Sequence, residues 1–326
     1  MSKRVNSGNR SRHAISVLGM IVALSGCEAK LDMSGVETAK EASTARYDHY
    51  QSAAASSVAT VVIANRGTVL VSTDDGQNWQ RQTLPGETAT SYPTLVDVEV
   101  CPDNRFLALD ADRKIWISDE TATNWTSKPI STEEEVLDLT CDPEGNFWVV
   151  GSFTLILQST DGGESWEDKS VFEDAMFSKI EFVDSENGFV TGEFGTVLGT
   201  RDGGVTWEPR SYLPNEFYPM AALFVSPEQG WVGGLQGFVF QTMDGGQTWN
   251  RQDTGTVAPI FNIFEANGSI FAIGEQGTIL TLSDEKWQAF DAQAGFGYLR
   301  AATPVTDKSF LVAGGGGLIR ILDQQN

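Results

Sequence analysis

The chain has 326 residues, a net charge of −22 and aromatic side chains at 10% of positions. That acidic balance repels phosphate backbones and anionic lipid surfaces, so nucleic acid is excluded as an expected partner. Three cysteines without a Cys-x-x-Cys pair give no zinc or redox motif, and neither a metal nor a cofactor is expected.

The N-terminus reads as an export signal. Lys3, Arg4, Arg10 and Arg12 precede an apolar core, Ala14 to Leu24, too short for a permanent span. Removing residues 1–26, which carry those four basic groups and no acid, changes the net charge from −22 to −26. The sequence Leu24-Ser25-Gly26-Cys27 resembles the lipobox of bacterial lipoproteins. The resemblance implies cleavage before Cys27 and lipidation of that residue; several acyl chains on one residue anchor stably. Glu28 stands where an aspartate would mark inner-membrane retention, which implies the periplasmic face of the outer membrane. Residues 27–46, rich in Ala, Ser, Thr and Glu, read as a tether with few core residues.

From residue 47 onward the chain repeats. Ser159-Thr-Asp-Gly-Gly-Glu-Ser-Trp166 recurs ending at Trp79, Trp207 and Trp249, with worn copies at Ser118 to Trp125 and, shortened, Ser283 to Trp287. The six tryptophans are 46, 41, 41, 42 and 38 residues apart, a period that marks a repeat architecture. Within the box, Gly tolerates positive φ, and the carboxylates of Asp74, Asp161, Asp202 and Asp244 can accept hydrogen bonds from their own turn. Trp79, Trp166, Trp207 and Trp249 then bury indole rings between neighbouring sheets. The box is a folding element, and its aspartates are not expected to be catalytic.

Aligned on the tryptophan, each unit gives four short strands, which for the fourth repeat are 177–183, 188–192, 196–200 and 207–210, here lettered A to D. The B-turn-C hairpin recurs seven times, at 61–71, 106–117, 147–157, 188–198, 230–240, 270–280 and 310–321. Seven four-stranded antiparallel sheets arranged radially make an all-β, seven-bladed propeller over residues 47–326. The last unit ends after strand C, so an N-terminal strand from 34–46 is expected to complete it and close the ring. Strand A of the first blade then falls near 48–56. Cys101 and Cys141 end equivalent strands of adjacent repeats. An exported setting allows a bridge between them, but equivalent positions in neighbouring sheets are expected to lie beyond the roughly 7 Å Cα limit. Both a disulfide and two buried thiols stay open.

The boxes, set among hairpins such as Gly188-Phe-Val-Thr-Gly-Glu-Phe-Gly-Thr-Val and Gly230-Trp-Val-Gly-Gly-Leu-Gln-Gly-Phe-Val, resemble Asp-box (BNR) propellers. Within these the chain resembles the photosystem II stability/assembly factor-like family over about residues 55 to 326. The resemblance implies a non-enzymatic helper that holds membrane-complex subunits through a basic patch. The arginines here are scattered along the sequence, and no such patch can be placed from it.

Asp boxes also occur in sialidases, so a sialidase-type hydrolase or glycan-binding propeller is the alternative. It requires three convergent arginines and a Tyr/Glu pair, and no Arg-Ile-Pro-like strand is found. After the leader the only histidine is His49, read as a solvated loop residue, which argues against a Ser-His-Asp triad or a histidine metal site. The D–A and B–C loops of a propeller share one face, opposite the boxes. Here they carry Tyr92, Phe177, Tyr212, Phe217, Tyr218 and Tyr298, along with Phe172, Phe261 and Phe296, interleaved with acids. Aromatic anchors among charges suit protein recognition. The expectation is a monomeric envelope lipoprotein that binds membrane-complex proteins through this face and touches the membrane through its lipid alone.

Overall fold

Strands A, B and C of each repeat are dominated by β-branched, aromatic and small residues, and they pair as consecutive antiparallel meanders. The computed structural model describes residues 43–324, apart from 89, 172, 291 and 293–296. The leader, Cys27 and the tether as far as residue 42 lie outside the described residues, as do Phe172 and Phe296. The sheets form blades 1 to 7, at 50–83, 95–129, 136–168, 177–209, 219–252, 260–289 and 299–323. Six have four strands and the seventh has three among the described residues. Blade 4 runs Phe177–Phe182, Gly188–Gly192, Thr196–Thr200 and Glu208–Pro209, within a residue or two of the expected strands.

Burial explains the pattern of side chains. Every residue of strand B in blades 1 to 5 is buried, whereas strand D is mostly exposed, as at Gln80–Thr83 and Glu208–Pro209. Strand B is apolar on both sides because each blade is covered by a neighbour on each face. The apolar core accordingly divides into seven clusters, one per blade interface. Trp79, Trp125, Trp166, Trp207, Trp249 and Trp287 each pack into the cluster shared with the preceding blade. Blade 7 has no such tryptophan to give to blade 6. Phenylalanines fill that interface, with Phe271 4.5 Å and Phe290 5.6 Å from Phe310 between ring centroids.

The N-terminal strand closes the ring. Strand Tyr50–Ala55 lies against Leu299–Thr306, and the two blades share one apolar cluster. Of the segment expected to add a fourth strand to blade 7, residues 43–46 form a bend and the start of a turn beside that blade's B–C turn. Gly317 N donates to Asp48 O there at 2.9 Å. Residues 34–42 lie outside the described residues.

Cys101 and Cys141 form a disulfide, with their Cα atoms 5.3 Å apart. The larger separation expected from the repeat is corrected by geometry: innermost strands converge on the axis, where adjacent blades approach most closely. The bridge closes a loop of 40 residues. Cys101→Ser with Cys141→Ser is expected to lower stability by about 2–4 kcal/mol, read as a shift of the urea midpoint of the oxidised wild type against the variant.

Candidate functional site

The Asp boxes are saturated by their own turns. In blade 3, Asp161 Oδ1 accepts from Ser159 Oγ at 2.9 Å and Ser165 N at 2.9 Å, and Oδ2 accepts from Ser165 Oγ at 2.6 Å. Ser159 Oγ in turn accepts from Gly163 N at 2.8 Å. The same set recurs around Asp74, Asp202 and Asp244. These donors hold Asp161 down at about 2 and lower the other three from the ordinary carboxylate value. The second box glycine needs its φ of +81° at Gly204, where a Cβ would also strike the Trp148 ring. The boxes therefore fasten turns to neighbouring blades, and the carboxylates of Asp74, Asp161, Asp202 and Asp244 are engaged in doing so.

The seven innermost strands surround an axial channel of about 200 Å³. Its wall includes Gln51, Asp97, Asp138, Lys179, Tyr218 and Arg300, contributed by blades 1, 2, 3, 4, 5 and 7. Lys179 Nζ bonds Asp138 and lies 4.0 Å from Asp97 Oδ2, while Ile180 N donates to Asp138 Oδ2 at 2.8 Å. Burial works against the charge of Lys179, but Asp138 and Asp97 outweigh it and raise its pKa. Further along the same strands, burial and then Asp97 push Glu99 up to about 8, with Lys179 opposing. Burial likewise pushes Glu181 to about 7. Among the described residues the channel wall holds one arginine, Arg300, so the three-arginine grip of a sialidase is not assembled there.

The opposite end of the hairpins builds a second feature. The middle residue of the B–C turn is, in blade order, Arg66, Asp112, Phe153, Phe194, Gln236, Gln276 and Gly316. It is left-handed in every blade but the second, where Arg113 after it takes that conformation instead. The loop face thus carries a ring of seven tips: cationic on blade 1, acidic on 2, aromatic on 3 and 4, amide on 5 and 6, bare on 7. Arg66 lies over the Tyr92 ring at 5.3 Å, and Arg81 over Tyr47 at 5.9 Å, in a shared concavity. Asp48 fixes Arg81 with two bonds, at 2.8 and 2.9 Å. The fold therefore gathers arginines that look scattered in the sequence.

The expected face residues divide. Tyr92, Tyr212 and Tyr218 are exposed at 41%, 64% and 36%. Tyr298 is half-buried, with its hydroxyl 3.0 Å from His49 Nδ1 and its ring edge-on to Phe261. His49 is exposed, as its sequence context implies. Phe177 and Phe217 do not belong to the face. Phe177 opens strand A and is fully buried with Trp148, and Phe217 packs against Phe240 at 5.1 Å. Aromatics at loop ends point inward wherever the blade interface reaches that far. Phe153 and Phe194, exposed at 56% and 55%, join the face although the loop aromatics of the sequence do not single them out. The middle position of each aligned B–C turn is the signal that finds them.

The fold and its saturated boxes define the class: a seven-bladed Asp-box β-propeller. Its repeats match the family described as Photosynthesis system II assembly factor YCF48, at residues 117–179 and 171–263. The fold is similar to that of YCF48 from Cyanidioschyzon merolae, at 14% identity and TM-score 0.69, over 86% of this chain and 97% of that one. It is also similar to YCF48 bound to D1 peptide, at 12% identity and TM-score 0.70, over 86% and 93%. A catalytically inactive virginiamycin B lyase from Staphylococcus aureus with quinupristin is as similar in shape, at 12% identity and TM-score 0.72, over 85% and 96%. At such identities the likeness is one of fold. No curated protein matches the sequence.

Two outcomes follow from the channel. Lys179→Met leaves Asp97 and Asp138 without their cation and is expected to cost about 3 kcal/mol or more in urea unfolding. Glu99 and Glu181 have folded pKa values of about 8 and about 7, above the ordinary 4.5, so the native state binds more protons than the unfolded chain across that interval. Their contribution to stability is greatest below pH 4.5 and declines toward pH 8. Glu99→Gln with Glu181→Gln should therefore raise the melting temperature more at pH 8 than at pH 5; an equal shift at both would refute the assignment.

Proposed function

We propose that this protein is a non-enzymatic envelope lipoprotein that holds protein partners on its loop face, as an assembly or stability factor for a membrane complex. The observation that carries the reading is the exposed aromatic series on that face, in a propeller whose repeats match an assembly-factor family. The fold-level likeness to YCF48 bound to D1 peptide supports a polypeptide as the ligand. Leu24 to Cys27 and the following Glu28 support lipid on Cys27 and the periplasmic face of the outer membrane. The anchor keeps the propeller at the bilayer, while the −26 charge of the exported part keeps its body off the anionic lipid surface.

Cross-linking pull-down from the native host tests the face. Tyr212→Ala with Tyr218→Ala is expected to reduce partner recovery about tenfold, with folding verified by an unchanged melting temperature. Unchanged recovery would remove this face from the mechanism. Cys27→Ser should abolish incorporation of a labelled fatty acid and shift the protein from the membrane to the soluble fraction.

A further inference from the structure

We propose that the groove between the tips of blades 3 and 4 binds a cationic segment of a partner protein, one that places an apolar or aromatic side chain between lysines or arginines. This rests on the protein-binding reading above and names the chemistry of the partner.

The groove is about 410 Å³, with Phe153, Ala175 and Met176 as its apolar lining. Two exposed phenylalanines, Phe153 and Phe194, occupy left-handed turn positions at φ 51° and 58°. A bulky L-residue is disfavoured there, and glycine would hold the same turn without strain. Blade 7 does so with Gly316. The turns therefore do not require these rings, and more than half of each is exposed. Phe153 lines the groove, and Phe194 stands at the adjoining tip directly after Glu193, which lines it.

Charge selects the occupant. Glu133, Glu134, Glu135, Asp174 and Glu193 line the groove, and none forms an ion pair among the described residues. Elsewhere on the surface Glu87, Glu164, Glu167 and Glu208 each have a lysine or arginine from the fold within reach. The groove thus offers five carboxylates around an apolar anchor point, and the nearby Arg113 guanidinium donates to the Glu133 carbonyl oxygen at 3.3 Å without pairing a carboxylate. A second copy of this acidic chain brings charge of the wrong sign, and so does an anionic bilayer.

The walls are already set. Thr154 N donates to Ala175 O at 2.8 Å and Glu193 N to Met176 O at 2.8 Å, tying both tips to the loop segment that leads into strand Phe177–Phe182. Glu134 is held by Ser152 Oγ at 2.9 Å and Glu193 by Met176 N at 3.0 Å. Little ordering remains for binding to impose, which favours a specific peptide over diffuse attraction.

The test uses purified full-length protein and three labelled twelve-residue probes at physiological salt: alternating lysine and phenylalanine, lysine with serine, and glutamate with phenylalanine. The lysine–phenylalanine probe is expected to bind at least about tenfold tighter than either other probe. Phe153→Gly with Phe194→Gly should weaken it about tenfold while raising the melting temperature by roughly 2 °C, because glycine suits both turns. Glu133→Gln, Glu135→Gln and Asp174→Asn together should weaken it similarly. Neutralising Glu164, Glu167 and Glu208 instead, an equal change in net charge, should leave it unaltered. Equal loss from both triple variants, wild-type binding by the glycine variant, or a fall in its melting temperature would each overturn the proposal. The synthetic probes are independent of the native partner, so failure here leaves the pull-down with the Tyr212 and Tyr218 variants as the separate test of protein binding.

Discussion

A propeller blade is stable only between two others, and that mutual covering organises this chain. Strand B can be apolar on both sides because a neighbouring sheet meets each face. Each indole supplied by an outer strand reaches the interface with the blade before it, so every repeat contributes to its predecessor's core. Only the junction of blades 6 and 7 breaks the rule, and there phenylalanines supply the missing apolar volume. Closure through the first strand matters for the same reason, since it covers the last sheet's free side.

The box follows from this demand. An outer strand of two to five residues pairs too little to fix its own turn. Its placement instead comes from a carboxylate that collects donors from the turn and from a hydroxyl that binds both the carboxylate and the glycine amide. With the turn fixed, the indole at its end has one direction to take. Those hydrogen bonds are local, which is why the motif is visible in sequence and why it marks fold rather than chemistry.

Local physics is legible in the sequence, and convergence is not. The boxes, the hairpins and the strand limits of blade 4 depend on residues a few positions apart, and the repeat supplies several readings of each. Phe177 and Phe217 read as surface residues because loop aromatics look alike in sequence. Whether such a ring faces solvent or a blade interface depends on how far the sheet extends at that end. The approach of Cys101 to Cys141, the gathering of Arg66 and Arg81, and the meeting of Lys179 with Asp138 and Asp97 all join different strands or blades. No period in the sequence encodes how closely equivalent positions come at the axis.

The same contrast locates where this propeller can differ from others of its shape. Box and interface positions are fully engaged by the fold, and a substitution there is answered first by stability. The middle residue of each B–C turn is free of that duty: its backbone is set by the hairpin, and its side chain points outward whatever it is. Seven such positions in one ring give seven nearly independent choices, and here two neighbouring pairs share their chemistry, Phe153 with Phe194 and Gln236 with Gln276, while Arg66, Asp112 and Gly316 each differ. Pairing across adjacent blades places like chemistry side by side over a distance that a peptide can span. A face with a cationic concavity at Arg66 and Arg81 and an aromatic-acidic groove at blades 3 and 4 orients an extended ligand, because reversing its direction sets like charges against each other.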